Sequence, residues 1–249
     1  MRILLIISFI LCFMATNASH LVGGEITYTY ISQNKYKINV TLYRDCGEAK
    51  LGNQGGGTST TSRNDLAEAY IRTISNACGD KNIGSISLSK VGFEDITPLC
   101  NKEYSKCGTN STFAFGIEAH HYSGIVDFSN YNSYQGCGFN IFIAISERNS
   151  DITTLSTEED DLYNYVYINP WKENVSSPQF ISSPKILFNV NQAVYAGDYA
   201  STTPGDSIVY KWAQPLKFHN TPIPYSSGYS NQAFIDVYCP SSSTCTADP

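Results

Sequence analysis

The stretch EITYTYISQNKYKINVTLYR, residues 25–44, predicts the fold of this chain. Its apolar side chains recur at every second position on both sides of a polar turn: Ile26, Tyr28, Tyr30, Tyr36, Ile38, Val40 and Leu42. Alternation with period two is typical of half-buried strands, and two such strands joined by a short turn form a hairpin. A slip of one residue would turn the apolar face to water, so we expect a well-specified register.

Short apolar segments separated by Gly, Asn, Ser, Asp and Pro clusters follow this hairpin. They predict strands at residues 68–74, 83–88, 91–96, 112–119, 124–128, 139–146 and 162–169. No segment shows the periodicity of an amphipathic helix of three turns. Regularly spaced short strands predict an all-β fold, an antiparallel β-sandwich of the immunoglobulin-like or jelly-roll-like kind.

The N-terminus has the pattern of a cleavable signal peptide at residues 1–18. Arg2 is followed by an apolar run that ends in small residues, with Thr16 and Ala18 at the positions that a signal peptidase reads. The run is shorter than the roughly 20 residues needed to span a bilayer. We therefore expect export to the cell surface or medium, and no later segment is long and apolar enough to predict a transmembrane helix.

The remaining chain divides into two predicted modules. Residues 19–171 form the sandwich, and residues 172–184, rich in Pro and Ser, are a linker. Residues 185–249 form a smaller β module with predicted strands at 185–195, 207–213 and 234–238. This module is short beside an immunoglobulin-like sandwich of about 100 residues, so it is either compact or a fragment.

The cysteines predict a disulfide framework. Of eight cysteines, Cys12 leaves with the signal peptide, and seven remain: Cys46, Cys78, Cys100, Cys107, Cys137, Cys239 and Cys245. In an oxidising compartment such a set normally forms disulfides, and the odd number predicts one that is free, joins another chain or has lost its partner. The spacings of Cys100 with Cys107 and of Cys239 with Cys245 favour local staples, although spacing alone leaves the connectivity open.

The charges argue against nucleic acid as a partner, because the net charge is -6 and no basic stripe occurs. One grouping resembles a metal or acid–base site: Glu118, His120, His121 and Asp127. On a strand, Glu118 and His120 lie on one face and His121 on the other, so structural roles are expected. The acidic run at 158–161 is typical of a solvated loop rather than a calcium site. No catalytic motif is found, and we expect no enzyme.

Four stretches together resemble a known family: SHLVGGE at 19–25, TLYRDC at 41–46, GIEAHHYSGIVDF at 116–128 and PGDSIVY at 204–210. The chain is similar to the N-terminal region of Bacteroidota gliding-motility-associated surface proteins, which are secreted by the type IX system and are commonly rich in PKD or cadherin-like repeats. The resemblance implies a secreted or cell-surface, adhesin-like or structural role. It also implies an immunoglobulin-, PKD- or cadherin-like fold for the second module.

The same resemblance indicates two chemical features of the second module. Family members often carry an Asp-x-Asp-Gly-Asp calcium pattern, whereas here Thr202 and Pro204 replace its first two aspartates. Asp206, with Asp198 nearby, is left as the calcium candidate, and no other cofactor is expected. The triplet that begins at Asp206 also resembles the motif that Bacteroidota modify with O-glycans, which makes Ser207 the candidate acceptor.

The expected function is therefore non-catalytic adhesion or surface structure, with other surface proteins, glycans or copies of itself as partners. One alternative is a fibre subunit that assembles by strand pairing at exposed sheet edges. Another is a carbohydrate-binding module of a secreted hydrolase, in which Trp171 and Trp212 would stack on sugars. Alternating tyrosines such as Tyr28, Tyr30 and Tyr36 are expected in the core instead.

Overall fold

The computed structural model describes residues 21–46, 66–74, 78–100, 102–145, 148, 152–156, 161–172, 174–184 and 200–231. The predicted signal peptide and the predicted strands 185–195 and 234–238 lie outside these residues. Eight strands build two four-stranded sheets. They are β1 Leu21–Ser32, β2 Lys35–Asp45, β3 Glu68–Thr73, β4 Lys81–Ser87, β5 Ser89–Asp95, β6 Ile117–Asp127, β7 Phe139–Ile145 and β8 Leu162–Ile168.

The strand order is that of an immunoglobulin constant domain with one addition. The first sheet runs β1-β2-β6-β5 and the second β4-β3-β7-β8, and every neighbouring pair is antiparallel. With β4 set aside, these are the ABED and CFG sheets of that domain. The prediction of an all-β antiparallel sandwich is confirmed.

The hairpin of β1 and β2 forms in the register that its alternation predicts. Tyr28 lies opposite Ile38, and Asn34 takes the left-handed conformation in the turn, with φ of 59°. The inward row of β2 joins the inward row of β7 in one core, and no side chain in either row is more than 1 % exposed: Tyr36, Ile38, Val40, Leu42, Phe139, Ile141 and Ile143. Burying each such large side chain contributes about 1.5–3 kcal/mol.

The aromatic side chains of the hairpin belong to this core, as the sequence predicts. Tyr28 and Tyr30 each meet the ring of Tyr36 edge-on, at centroid distances of 5.7 and 5.5 Å. Phe128, in the short 3-10 helix Phe128–Tyr134 after β6, packs against the other side of Tyr36. These rings fill the end of the sandwich where the hairpin turns.

The chain passes from one sheet to the other at Leu88, between β4 and β5. Leu88 is buried, and its amide donates to the carbonyl oxygen of Ala67. Gly124 of β6 lies against this corner, where a Cβ atom would collide with the carbonyl oxygen of Ser87. Only glycine allows the backbones to approach so closely.

Two predicted strands, at 112–119 and 124–128, are replaced by the single strand β6, which spans Ile117–Asp127, while residues 112–116 lie outside any strand. The predicted break between them is wrong, because the polar residues His120, His121 and Ser123 hide the apolar period of the strand at this point. They continue the ladder instead, since each lies opposite a residue of β2. A predicted strand at 207–213 is also wrong, because none of those residues belongs to a strand, and Val209 is exposed to solvent.

The segment 174–184, predicted as part of a linker, lies along the free edge of β1. Ser177 accepts from the amide of Tyr28 through its hydroxyl and donates its own amide to the Tyr28 carbonyl. The Ser176 hydroxyl accepts from the amide of Tyr30 at 3.0 Å. Serine side chains thus satisfy the backbone groups that an edge strand leaves unpaired.

The later residues add two short ladders. β9 Gln179–Phe180 pairs with β10 Ala200–Ser201, and β11 Leu216–Phe218 pairs with β12 Thr221–Pro222. Among the described residues, no helix is long and apolar enough to cross a membrane.

Two disulfides join distant parts of the first module. Cys46 at the end of β2 pairs with Cys107, and Cys78 before β4 pairs with Cys137 before β7. The predicted local staple of Cys100 with Cys107 is wrong, because the loop presents Cys107 to β2 and leaves Cys100 as an exposed free thiol. The predicted pair Cys239 and Cys245 lies outside the described residues.

We expect either disulfide to stabilise the protein by closing a long loop. The paired cysteines are separated by 61 and 59 residues, for which chain entropy gives about 4 kcal/mol each. Replacing both members of one pair by serine should lower the free energy of unfolding by about 2–4 kcal/mol in urea titrations. Cys100→Ser is the control and should change nothing. Peptide mapping under non-reducing conditions that found Cys100 joined to Cys107 would contradict the pairing.

Candidate ligand-binding groove

An open groove of about 780 Å³ lies beside the place where β1 approaches β8. Its floor comes from residues 24–26 of β1 and 163–165 of β8, and its far wall from residues 213–216. Phe180, Ser182 and Pro184 line the groove next to β1, and Tyr43 and Asn220 complete the described lining. The groove therefore lies between the sandwich and the segments that follow it.

The floor of the groove is held together by one amide side chain. Asn164 of β8 donates through Nδ2 to the carbonyl oxygen of Gly24 on β1, at 2.6 Å. The donor must be the amide nitrogen because a carbonyl oxygen can only accept, so Oδ1 of Asn164 faces away from Gly24. Among the described residues this oxygen has no hydrogen-bond partner.

The residues that follow the far wall pack on the outer face of the second sheet. Phe218 contacts the ring of Tyr163, with 6.4 Å between the centroids, and Ile223 is fully buried. Gln214 donates through Nε2 to the carbonyl oxygen of Ile223 at 2.8 Å. The same argument places Oε1 of Gln214 away from that carbonyl, and this oxygen has no partner among the described residues either.

Three charged or polar side chains, Arg72, Asp80 and His219, form an ionic clasp. It joins the segment that follows the far wall to the hairpin of β3 and β4. Arg72 donates through Nε to Oδ1 of Asp80 at 2.6 Å, and His219 lies 3.1 Å from Oδ2 of the same carboxylate. The hydrogen bond from Arg72 holds the pKa of Asp80 below its ordinary value, with His219 adding to the effect. Asp80 is therefore ionised at neutral pH and attracts both partners.

The groove presents aromatic surface. Tyr165 is 49 % exposed and Phe180 47 %, whereas Tyr163 beside them is only 4 % exposed. Burial raises the pKa of Tyr163 to about 12, so its phenol stays neutral at neutral pH. That hydroxyl has no hydrogen-bond partner among the described residues. Glu25 is the one charged side chain in the described lining.

The sequence predicted neither the groove nor its residues. Tyr163 and Tyr165 share the outer face of β8, and their alternation in the sequence predicts a strand without showing what covers that face. Gln214 lies in a segment without periodicity. Only the docking of residues 213–223 on the sheet brings these side chains together.

The grouping of Glu118, His120, His121 and Asp127 does not form one site. Glu118 accepts from Arg44 at 2.8 Å and lies 2.9 Å from Nε2 of His120, inside the sandwich. His121 points to the outer face of the first sheet, towards Thr41. Asp127 caps the 3-10 helix at the other end of β6.

Glu118 is a buried carboxylate in a structural ion pair. Burial raises its pKa, but the hydrogen bond from His120 and the charge of Arg44 together lower it below the ordinary value. Cys46, Cys107 and Glu118 are the group of metal-ligating types among the described residues. The two sulfurs are bonded to each other and Arg44 neutralises the carboxylate, so these residues do not fit a metal ion.

Other predicted site residues lie apart from the groove or outside the described chain. Asp206 and Ser207 are exposed in a turn, while Asp198 and the acidic residues 158–160 are outside the described residues. Trp171 packs against Phe128 and Phe139 and is therefore part of the core. Trp212 is 54 % exposed and precedes the far wall of the groove.

Glu118→Gln should destabilise the protein in a pH-dependent way. A charged hydrogen bond in this setting contributes about 2 kcal/mol, which is present above the ordinary glutamate pKa of about 4.3 and is lost as the pH falls through the lowered folded pKa. Urea unfolding should show the full difference from wild type at pH 7 and a smaller one at pH 3. Glu94→Gln, on the exposed outer face, is the control. A difference that is the same at both pH values would show that the charge of Glu118 is not the cause.

His219→Ala should loosen the far wall without unfolding the sandwich. Because the pair with Asp80 is partly exposed, its loss should cost at most about 1 kcal/mol of global stability. Amide hydrogen exchange should nevertheless become faster in residues 214–223 and stay unchanged in β2 and β7. His121→Ala serves as the control, since His121 lies on the other sheet. Unchanged exchange in 214–223 would mean that the clasp does not hold the wall.

No family model matches this chain. Comparison of the chain with curated proteins and with solved structures found no similar protein either.

Proposed function

We propose that this protein is a non-catalytic, adhesin-like protein of the cell exterior that holds a surface ligand in the groove between β1, β8 and residues 213–216. The observation that carries the proposal is the lining of the groove. It combines the half-exposed rings of Tyr165 and Phe180 with amide oxygens that have no partner among the described residues. A concave site with apolar walls and a few placed polar groups is typical of ligand binding.

Binding without turnover agrees with the charges of the groove. Glycoside hydrolysis ordinarily requires two carboxyl groups that flank the scissile bond. The described lining holds one carboxylate, Glu25, and no cysteine, histidine or serine–base pair that would supply a nucleophile. These features support recognition as the role of the groove.

The exterior location is supported by the disulfides. Cys46 with Cys107 and Cys78 with Cys137 are bonds that persist in oxidising compartments. The apolar start of the sequence and the resemblance to secreted Bacteroidota surface proteins point the same way. Attachment to the surface of such a cell is part of the proposal.

Assembly into fibres by strand pairing has less support from the described edges. Ser176 and Ser177 already occupy the edge of β1. The edge of β5 carries a bulge between Lys90 and Gly92, and both a bulge and an edge lysine oppose pairing with another strand. We therefore base the proposal on the groove.

The test is the binding of purified, fluorescently labelled protein to intact cells of the producing bacterium. The double variant Tyr165→Ala, Phe180→Ala should bind at least about tenfold more weakly, because stacking surfaces dominate such interfaces. Tyr104→Ala is the control. It removes an exposed tyrosine from the connection between β5 and β6, which does not line the groove, and it should bind like wild type. Circular dichroism and thermal unfolding establish that the variants are folded.

Two results would contradict the proposal. Equal cell binding by the groove variant and wild type would remove the groove from the function. Release of reducing ends or other products from cell-surface polymers would show a catalytic activity, and the non-catalytic role would be wrong.

A further inference from the structure

We infer that the ligand of the groove is an uncharged saccharide chain, an inference that rests on the proposed binding function and names its ligand class. Three features of the lining support this ligand class: exposed ring faces, amide oxygens that can only accept hydrogen bonds, and the absence of basic side chains among the described residues of the groove.

The ring faces fit the apolar side of a sugar. Tyr165 and Phe180 leave about half of their surface in water, at 49 % and 47 % exposure. Tyr163 supports Tyr165 from within the protein, at 6.0 Å between ring centroids. The C–H face of a pyranose that covers such a ring removes apolar surface of both partners from water.

The amides fit the hydroxyl groups of a sugar. The side-chain amide nitrogens of Asn164 and Gln214 each donate a hydrogen bond to a backbone carbonyl oxygen. Their amide oxygens, Oδ1 and Oε1, remain as acceptors without a partner among the described residues. A ligand rich in O–H donors satisfies such acceptors.

The described lining lacks the groups that ordinarily bind anionic sugars. Binding of phosphate, sulfate or carboxylate groups ordinarily uses Arg, Lys or helix N-termini. The described lining has none of these, it contains the carboxylate of Glu25, and the chain carries a net charge of -6. A neutral ligand therefore fits this lining better than an anionic one.

The backbone of β1 argues against a peptide that would pair with that strand. A peptide that adds to a sheet edge needs a row of free backbone groups. On β1 the amides of Tyr28 and Tyr30 already donate to Ser177 and Ser176, and the carbonyl of Gly24 accepts from Asn164. A saccharide needs none of these groups, because side chains supply its contacts.

The experiment is calorimetric and ligand-observed NMR titration of the full chain with four neutral hexasaccharides: cellohexaose, laminarihexaose, mannohexaose and chitohexaose. Hexagalacturonate is the anionic comparison. We expect at least one neutral chain to bind saturably at concentrations of about 1 mM or below and hexagalacturonate not to bind. Tyr165→Ala and Gln214→Ala should each weaken that binding at least about tenfold, and Tyr104→Ala should not.

The outcomes separate this inference from the proposed function. Groove-dependent binding to cells together with no saturable binding of any neutral chain overturns the saccharide inference and leaves the binding function standing. Preferential binding of hexagalacturonate also overturns it. Binding of a neutral chain that Tyr165→Ala and Gln214→Ala leave unchanged, while both variants remain folded, places the sugar elsewhere and overturns the inference as well.

Discussion

The register of β2 between β1 and β6 is the constraint on which the structure depends. Tyr36, Ile38, Val40 and Leu42 point into the sandwich and are almost fully excluded from water. A shift by one residue would expose this row and bury the polar row that alternates with it. The register also fixes where β1 meets β8, and with it the bond of Asn164 to Gly24 that forms the floor of the groove.

The inward row of the sheet changes from apolar to charged at one end. Beyond Leu42, Arg44 donates to Glu118 of β6, and the same carboxylate oxygen lies 2.9 Å from Nε2 of His120. Removing charges from water is costly, and here each charge or polar ring has a close partner that offsets part of the cost. The disulfide of Cys46 and Cys107 closes the same end. This cluster thus resembles a chemical site in sequence, whereas its contacts are those of a structural ion pair.

The segments after the sandwich form the walls of the groove on its surface. A bare sandwich would expose the tyrosine face of β8 as a flat surface. Packing of Phe218 on Tyr163, and the clasp of His219 on Asp80, raise a wall beside that face. On the other side, Phe180 follows the serines that cover the edge of β1. Contacts that complete the fold therefore also shape the surface that we propose as its binding site.

The two-residue period that burial on one face imposes is visible locally in β1, β2 and β7, so the sequence alone was enough to predict these strands and the class of fold. It also placed Tyr36 in the core and His121 on the face opposite to Glu118. Continuity of β6 through two histidines, and the pairing of Cys107 with Cys46 rather than Cys100, were decided by tertiary structure, because each depends on a neighbour distant in the sequence. The groove is the clearest such case. Tyr165, Asn164 and Gln214 converge only through long-range packing, which no local period records.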